Sequence, residues 1–332
     1  MKKKVKKKSY ILVTGGAGYI GSIFTALLIN ESYNVIVVDD LSTGSKKLIN
    51  KKSKFFKIDL KNLKLLKKKL NPYSIKATFH FAASLSVPES QKNPLKYYMN
   101  NVIGTENLIK FSVMKKIKKF IFSSTCAVYG SPANVKINEE ALTLPQSNYG
   151  KTKLMAEKML INYSKKFKFK YAILRYFNVI GADIKNNLGQ INGNSLFKEL
   201  TRNIIKKNYS INLFGTSYHT KDGTCIRDYI DVNDLCDLHL LSYKRLYNKN
   251  SFILNCGYNK GYSVKEVIMK FSKFVNKNIK IKIKPKRPGD VEAIYCNNKK
   301  IKIYFPKWKK NFDLKESIKN MIKWESYLHS KH

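Results

Sequence analysis

The chain has 332 residues, 43% hydrophobic and 26% charged, the composition of an ordinary globular protein that is long enough for two lobes. Its net charge is +42, but only five of the 64 basic residues are Arg, and the Lys residues are scattered beside abundant Asn and Ile. We interpret this charge as codon bias in an AT-rich genome; it predicts no specific nucleic-acid partner, only a general attraction for anionic substrates.

The chain begins with a Lys-rich segment, Met1–Lys8, which we interpret as a solvated tail. No long apolar stretch with a small-residue cleavage site follows it, and no apolar run reaches the roughly 18 residues of a membrane span. We therefore expect a cytoplasmic protein with no membrane partner. The cysteines form no C-x-x-C pair and their number is odd, which predicts no metal site and a reducing compartment. They are Cys126, Cys225, Cys236, Cys256 and Cys296.

Strands and helices alternate through the first half. Short β-branched or aromatic runs predict buried strands at Tyr10–Thr14, Val35–Asp39, Phe55–Asp59, Ala77–Ala82, Phe120–Ser124 and Tyr171–Tyr176. Helical patterns lie between them at Ile20–Asn30, Leu63–Leu70, Pro94–Lys115 and Tyr149–Lys166. This alternation predicts an α/β fold, a Rossmann-like doubly wound parallel sheet. After residue 177 the pattern becomes irregular. We therefore expect a cofactor-binding domain at 1–177 and a smaller C-terminal α/β substrate lobe at 178–332, with some later strands returning to the main sheet.

The first strand runs into a glycine-rich turn, Gly15-Gly16-Ala17-Gly18-Tyr19-Ile20-Gly21. Its glycines allow a tight turn and a close approach to a pyrophosphate, and the following helix points its N–H groups at the phosphates. The motif predicts a dinucleotide site formed by Gly15, Gly18, Tyr19, Ile20 and Gly21. A glycine turn in another kind of α/β protein is the alternative, but the order strand, glycines, helix, strand and acid disfavours it.

Acidic and small residues at the ends of the next strands extend this site. Asp39 ends the second strand, where it can accept hydrogen bonds from the adenosine ribose. Together with Asp40, and with no basic residue before Lys46, it predicts NAD rather than NADP, whose 2′-phosphate the carboxylate would repel. Asp59 and Leu60 end the third strand, where the adenine would lie. Phe81, Ala82 and Ala83 end the fourth, where small residues leave room for the cofactor.

A candidate catalytic group follows the fifth strand. Tyr149 and Lys153 lie four residues apart and so share one helix face. A phenol is a poor base at neutral pH unless a nearby ammonium and the positive nicotinamide favour its phenolate. Thr125, at the end of the Ser-rich fifth strand, would place a hydroxyl over the same pocket. A Tyr-x-x-x-Lys pair is frequent by chance, so its position in the fold carries the prediction.

Taken together, these motifs resemble the extended short-chain dehydrogenase/reductase family and, within it, the UDP-glucose 4-epimerases. The resemblance extends from Leu12 to about Trp324. It rests on the segments Thr14–Gly21, His80–Ala83, Asn93–Tyr98, Phe122–Gly130, Tyr149–Leu154, Arg175–Asn178, Asp222–Tyr229 and Pro285–Asp290. It implies C4 epimerisation of a UDP-hexose with tightly bound NAD. It also implies a homodimer formed through the two predicted helices Pro94–Lys115 and Tyr149–Lys166.

The resemblance further implies residue roles. Tyr149 would transfer the proton, with Lys153 and Thr125 as its partners. The cofactor site would also include Asn100 and Tyr176. UDP-sugar contacts are implied for Asn178, Ser195, Leu196, Phe214, Tyr218, Arg227, Arg287, Asp290 and Ile294. Among these, the arginines resemble a diphosphate clamp, a task that the planar guanidinium performs better than Lys.

The resemblance also implies a sugar range, through one position. A bulky Tyr at the end of the pocket restricts the family to glucose and galactose, whereas a smaller residue admits 2-acetamido sugars. The corresponding residue here is Ile294, with Tyr295 after it, so UDP-GlcNAc and UDP-GalNAc are expected as additional substrates. Pro88, where many members have Gly, and the unusual segment Asn186–Ser195 are departures that affect the sugar loop.

Several alternatives remain open. A sugar-nucleotide 4,6-dehydratase would need an acid and a base where this chain has Cys126 and Ala127. A decarboxylase or a mannose-type epimerase/reductase would need other substrate-lobe motifs. A non-catalytic dinucleotide sensor or RNA-binding relative would usually have lost Tyr149 or Lys153.

Overall fold

The computed structural model describes residues 8–185, 187–287 and 289–330. Residues 1–7 of the predicted tail lie outside the described residues. So do Asn186 of the unusual segment Asn186–Ser195 and Pro288 of the motif Pro285–Asp290. Within the described ranges, no helix is long and apolar enough to span a bilayer.

The described residues form 14 strands and 11 α-helices. The strands are β1 Ser9–Thr14, β2 Asn34–Asp39, β3 Lys54–Lys57, β4 Ser74–His80, β5 Lys119–Thr125, β6 Lys136–Ile137, β7 Lys170–Tyr176, β8 Asn178–Ile180, β9 Ser210–Phe214, β10 Ile226–Asp231, β11 Phe252–Cys256, β12 Gly261–Ser263, β13 Lys280–Lys284 and β14 Ala293–Cys296. The helices are α1 Tyr19–Asn30, α2 Leu63–Leu70, α3 Val87–Lys92, α4 Pro94–Tyr97, α5 Gly104–Met114, α6 Asn148–Phe167, α7 Leu196–Ile205, α8 Val232–Arg245, α9 Val264–Val275, α10 Lys299–Tyr304 and α11 Leu314–His329.

The largest sheet is parallel and has helices on both faces. Its seven strands lie in the order β11-β7-β5-β4-β1-β2-β3. Side chains alternate across each strand, so Ile11 and Val13 of β1 pack with α1 and α8, whereas Leu12 packs with α2, α5 and α6. The doubly wound Rossmann-like fold predicted from the sequence is confirmed. Its carboxyl edge is where β1, β4 and β5 deliver their last residues to one site.

Chain connectivity mixes the two predicted lobes. β11 comes from the second half but extends the main sheet beside β7, while β6 from the first half joins a second sheet ordered β12-β10-β14-β6. β8 also pairs with β10, and β13 pairs with β9 in a small separate sheet. The division at residues 177 and 178 stays a prediction, since strands cross it in both directions.

The helix predicted at Pro94–Lys115 is present, but it is not a regular α-helix throughout. It consists of α4, a π-helical segment at Tyr98–Ile103, and α5. The wider turn accompanies the burial of Asn101, and π segments of this kind occur often at functional sites. A further helix, α3, was not predicted; the Ser86 hydroxyl caps it and Pro88 lies in its first turn.

Two strand ends also differ from the prediction. β3 ends at Lys57 and β4 at His80, so the predicted strands Phe55–Asp59 and Ala77–Ala82 ran two residues too far. The extra residues, including Asp59 and Phe81, belong to the loops at the carboxyl edge. An apolar sequence pattern does not show where a strand stops pairing with the neighbouring strands.

Candidate active site

The glycine turn after β1 is tightly packed, most of all where it bends. Gly15 has a φ of +74°, and a Cβ there would lie 2.5 Å from the backbone nitrogen of Ala82. A Cβ at Gly21 would lie 2.2 Å from the carbonyl oxygen of Gly15, whereas at Gly18 the nearest atom is 3.2 Å away. No side chain caps α1, so its first backbone N–H groups at Tyr19 and Ile20 remain open to an anion.

Asp39 fixes this turn from the end of β2. Its buried carboxylate accepts hydrogen bonds from the backbone nitrogens of Ala17, at 3.0 Å, and Leu41, at 2.9 Å. Burial raises the pKa of Asp39, and these two hydrogen bonds oppose the rise. Asp40 is more exposed and accepts from the nitrogen and hydroxyl of Ser42. Asp39 therefore connects the second strand to the glycine turn, a role that sequence reasoning did not assign to it.

The other predicted adenosine-side residues lie at the same edge of the sheet. Asp59 accepts from the backbone nitrogen of Lys61, at 2.8 Å, and pairs with its ammonium at 3.2 Å. Leu60 beside it is buried. Phe81 continues from β4, with its nitrogen bonded to the carbonyl oxygen of Thr14 at 2.9 Å. Phe81 and the two alanines after it are half-buried beside the glycine turn.

Three of the predicted cofactor residues carry polar groups that are already bonded within the protein. The Tyr19 hydroxyl donates to the carbonyl oxygen of Gly181, at 2.7 Å. The Asn100 amide donates to the Ser84 hydroxyl, at 3.1 Å. The hydroxyl of Tyr176, a buried residue, bonds to Ser123 and to His239, each at 2.5 Å. These contacts link the cofactor side of the sheet to both neighbouring helix layers.

The candidate catalytic residues meet where β5 ends and α6 begins. The Tyr149 phenol lies close enough to Thr125 for that hydroxyl to lower its pKa as a hydrogen-bond donor, and both residues are nine-tenths buried. Ser147 caps α6, and Gly150 allows the helix to approach closely, since a Cβ there would lie 2.5 Å from the carbonyl oxygen of Ala127. The local sequence thus holds Tyr149 against the end of β5.

Burial acts on both titratable groups of this cluster. It raises the pKa of Tyr149 to about 12, although the hydrogen bond from Thr125 acts the other way. It lowers the pKa of Lys153 to about 7, and the negative charge of Glu157 opposes that fall. Among the described residues the Lys153 ammonium forms no hydrogen bond; it lies 4.4 Å from the ring centroid of Phe122. Each group is pushed toward its neutral form. A positive charge brought into the site would lower the pKa of both groups.

The predicted nucleotide-sugar residues gather on the second sheet. Arg227 of β10 lies in register with Ile294 of β14, and Asn178 of β8 pairs with Tyr229, two residues further along β10. Ile294 is buried in an apolar cluster against which Cys126, next to Thr125, also packs. This sheet therefore borders the end of β5.

A second group of these residues lies at an open rim formed by Arg287 and Asp290, with Tyr218 buried behind it. The Arg287 guanidinium lies 3.7 Å from the ring centroid of Phe214, and the Lys286 ammonium lies 4.3 Å from that of Tyr218. Partial desolvation raises the pKa of Asp290, and the charges of Arg227 and Arg287 oppose the rise, so the three groups are close. The rim is cationic around one carboxylate.

Ser195 and Leu196 lie at the start of α7. The Ser195 hydroxyl caps the helix by accepting from the nitrogen of Lys198, at 3.3 Å, and it is exposed, as is Asn178. The preceding segment touches the cofactor side, because the Asn192 amide donates to the carbonyl oxygen of Thr43, at 3.2 Å.

Sequence reasoning missed Asn101 and Glu157. The buried Asn101 amide bonds both the backbone nitrogen and the carbonyl oxygen of Ser84, at 2.8 and 3.1 Å, and also reaches the Thr152 hydroxyl. No sequence signal separates it from Asn100, because the π-helical turn decides which of the two is buried. Glu157 could have been found, since it follows Lys153 by four residues on the same helix face.

Comparisons with known proteins show the family of this chain. Residues 11–257 match the model of the NAD dependent epimerase/dehydratase family. The chain is 36% identical to a UDP-glucose 4-epimerase of Azospirillum brasilense, over 96% of this chain and 92% of that protein. It is 37% identical to a probable UDP-arabinose 4-epimerase of Arabidopsis thaliana, over 96% and 81%. It superposes on the solved UDP-Glc/GlcNAc 4-epimerase of Campylobacter jejuni with a TM-score of 0.82 and 39% identity, over 96% and 99% of the two chains.

Proposed function

Because the chain belongs to the NAD dependent epimerase/dehydratase family, we propose that it is an NAD-dependent UDP-glucose 4-epimerase that interconverts UDP-glucose and UDP-galactose. One observation carries the assignment: a buried tyrosine beside a threonine hydroxyl, one helical turn before a buried lysine, at the carboxyl edge of a dinucleotide-binding sheet. The other members of this class need different groups. A 4,6-dehydratase would need an acid and a base where Cys126 and Ala127 lie.

The residues at the sheet edge fit NAD. The turn at Gly15 and Gly18 carries no side chains that would keep a pyrophosphate from the backbone, the uncapped start of α1 offers backbone N–H groups, and Asp39 presents a carboxylate toward the ribose side. That carboxylate would repel the 2′-phosphate of NADP. When bound, NAD supplies a reversible hydride acceptor.

Within this site each catalytic side chain has a distinct task. Tyr149 accepts the proton of the sugar 4-hydroxyl at its phenolic oxygen and later returns it. The Thr125 hydroxyl forms a hydrogen bond with the group that carries this proton, and it orients the phenol. The Lys153 ammonium lowers the pKa of the phenol by its charge, and a positive charge on the bound cofactor acts in the same direction. Together these charges counteract the effect of burial on Tyr149.

Epimerisation also requires both faces of the sugar C4 to be presented to one fixed site. The nucleotide must therefore be anchored firmly while the hexose is held loosely. We assign the anchoring to Arg227 and Arg287 on the diphosphate, with Asp290 on the uridine ribose. Phe214 and Tyr218 would enclose the uracil end. Asn178, Ser195 and Leu196 would border the sugar and diphosphate.

The sugar range is a finer proposal. Ile294 stands where restrictive members carry a bulky Tyr, and the smaller residue favours activity on UDP-GlcNAc and UDP-GalNAc as well. The similarity to the UDP-Glc/GlcNAc enzyme of Campylobacter jejuni supports this extension. The similarity to a UDP-arabinose 4-epimerase makes that pentose nucleotide a necessary comparison substrate.

A homodimer and a reducing location belong to the same proposal. Leu95, Met99 and Ile103 are exposed apolar residues spaced four apart along α4 and the π-helical segment, and Met155 is exposed on the neighbouring α6. A stripe of this kind supports association through these helices. All five cysteines are free thiols, which fits a cytoplasmic protein.

The decisive test is incubation of the purified protein with UDP-glucose, UDP-GlcNAc and UDP-arabinose in separate reactions, followed by chromatographic separation of the 4-epimers. Conversion of UDP-glucose to UDP-galactose without added NAD is expected, because the cofactor should stay bound through each cycle. Failure to convert UDP-glucose, even with added NAD, would overturn the proposal. Failure with UDP-GlcNAc alone would remove only the wider sugar range.

A further inference from the structure

Beneath the catalytic cluster lies a buried ion pair between α6 and β7. The Arg175 guanidinium donates to the Glu157 carboxylate through two nitrogens, Nε to Oε1 at 3.0 Å and Nη2 to Oε2 at 2.6 Å. The side chains are 5% and 1% exposed. Breaking a buried pair of this kind leaves an uncompensated charge, so its geometry is strongly constrained.

The Glu157 carboxylate joins both strands that lead to the site. It also accepts a hydrogen bond from the Ser124 hydroxyl of β5. Ser124 and Arg175 are partners in the β5–β7 register, and the next pair in that register is Thr125 and Tyr176. The carboxylate therefore holds α6 against the two strands one residue before they reach the catalytic edge.

Arg175 is satisfied on its other side as well. Its Nη1 donates to the Tyr129 hydroxyl, at 2.9 Å, and that hydroxyl donates to the Asn255 side-chain oxygen, at 2.7 Å. The guanidinium also lies 4.9 Å from the Tyr129 ring centroid. These contacts lock the arginine, so Glu157 cannot shift without disturbing β7 and β11.

Lys153 precedes Glu157 by one helical turn. The groups that act on its charge are Glu157 from α6 and His80 from β4, and its ammonium lies over the Phe122 ring of β5. Burial and the lysine's own charge keep the pKa of His80 well below its ordinary value, so this ring is neutral. Of these groups, Glu157 supplies the negative charge that raises the pKa of Lys153.

We propose that Glu157, held in place by Arg175, is a positioning residue that keeps Lys153 charged, and thereby sets the alkaline limit of the reaction. The proposal rests on the catalytic role given to Lys153 above. Glu157 does not touch the reacting atoms; it acts through the lysine. The carboxylate is shared with Arg175, so its effect on Lys153 is partial and tunable.

The test compares pH profiles of kcat and KM for the wild type, Glu157→Gln, and the double variant Glu157→Leu with Arg175→Met, which removes both charges together. A buried pair replaced by apolar residues is often tolerated, so the double variant guards against misfolding of the single one. The alkaline limb of kcat is expected to move about one pH unit lower, with KM within about twofold of the wild type. Glu106→Gln, which removes a partly exposed carboxylate paired with Lys110, is the matched control and should leave the profile unchanged.

A second readout does not depend on activity. The difference in unfolding temperature between each background and its Lys153→Met derivative is measured across pH, at one NAD concentration. Plotted against pH, this difference should bend at the pKa of Lys153 in the folded protein. Loss of Glu157 should move that bend to a more acidic pH. A folded double variant in which both curves match the wild type would overturn the proposal. A shifted unfolding curve beside an unchanged kcat profile would uphold the charge effect and refute the catalytic role of Lys153 instead.

Discussion

The two halves of the active site are built differently. Tyr149, Lys153 and Thr125 are at least nine-tenths buried and rest on a hydrogen-bonded ion pair. The proposed nucleotide-sugar residues Arg287 and Asp290 lie on an exposed rim. The reaction needs a rigidly held proton acceptor and a sugar that can turn, so the two halves of the site are expected to differ in this way. The contrast teaches that kcat and KM should respond to separate sets of residues.

The largest effect is expected from Tyr149→Phe, which removes the hydroxyl from the rigid half. The kcat for UDP-glucose should fall by roughly 10²- to 10⁴-fold, the usual contribution of a positioned proton acceptor. Tyr163→Phe on the same helix, whose hydroxyl bonds Glu106 instead, is the control and should keep wild-type kcat. Near-normal turnover by the Tyr149 variant would refute its assigned role.

A smaller effect is expected from Gly150→Ala. The added Cβ would lie 2.5 Å from the carbonyl oxygen of Ala127, so the start of α6 must move and carry Tyr149 away from Thr125. A displacement of about 1 Å should lower kcat by about 100-fold and leave KM almost unchanged. Gly104→Ala on α5, where a Cβ meets nothing closer than 3.4 Å, serves as the comparison. Equal activity of the two variants would show that this close approach is not needed.

Substitutions in the exposed half of the site should change KM. Arg287→Lys keeps the charge but loses the planar pair of donors, so KM for UDP-glucose should rise about tenfold with kcat nearly unchanged. Arg245→Lys is a matched control, because that guanidinium also lies on a ring, 3.8 Å from the centroid of Tyr304, and forms no part of the proposed site. A fall in kcat without a change in KM would contradict the division between the two halves.

The smallest effect concerns stability. Burial lowers the pKa of Lys153 from 10.5 to about 7, so below pH 7 the folded protein carries a buried ammonium at a cost of a few kcal/mol. As pH rises from 7 toward 10.5, the folded state releases this proton before the unfolded state does, and the cost disappears. Lys153→Met should therefore raise the unfolding temperature by a few degrees at pH 6. The gain should shrink by pH 9.5; a pH-independent difference would argue against the lowered pKa.

Much of this site could be predicted from the sequence, for a physical reason. Glycines before a helix, Asp39 at a strand end, and a Tyr and a Lys four residues apart all act through local geometry, which spacing reports. Contacts between distant segments are not visible in this way. The pairing of Glu157 with Arg175 and the burial of Asn101 depend on which strands become neighbours and on a π-helical turn. Spacing alone could show neither.

The exchange of β6 and β11 between the two sheets has a consequence for how the chain can be cut. A fragment ending at residue 177 would lack β11 and leave the whole edge of β7 unpaired, while the remaining fragment would lose β6 from its own sheet. Unpaired apolar edges promote aggregation. Neither half should accumulate as a soluble recombinant product, and co-expressed halves should recover solubility only by assembling with each other.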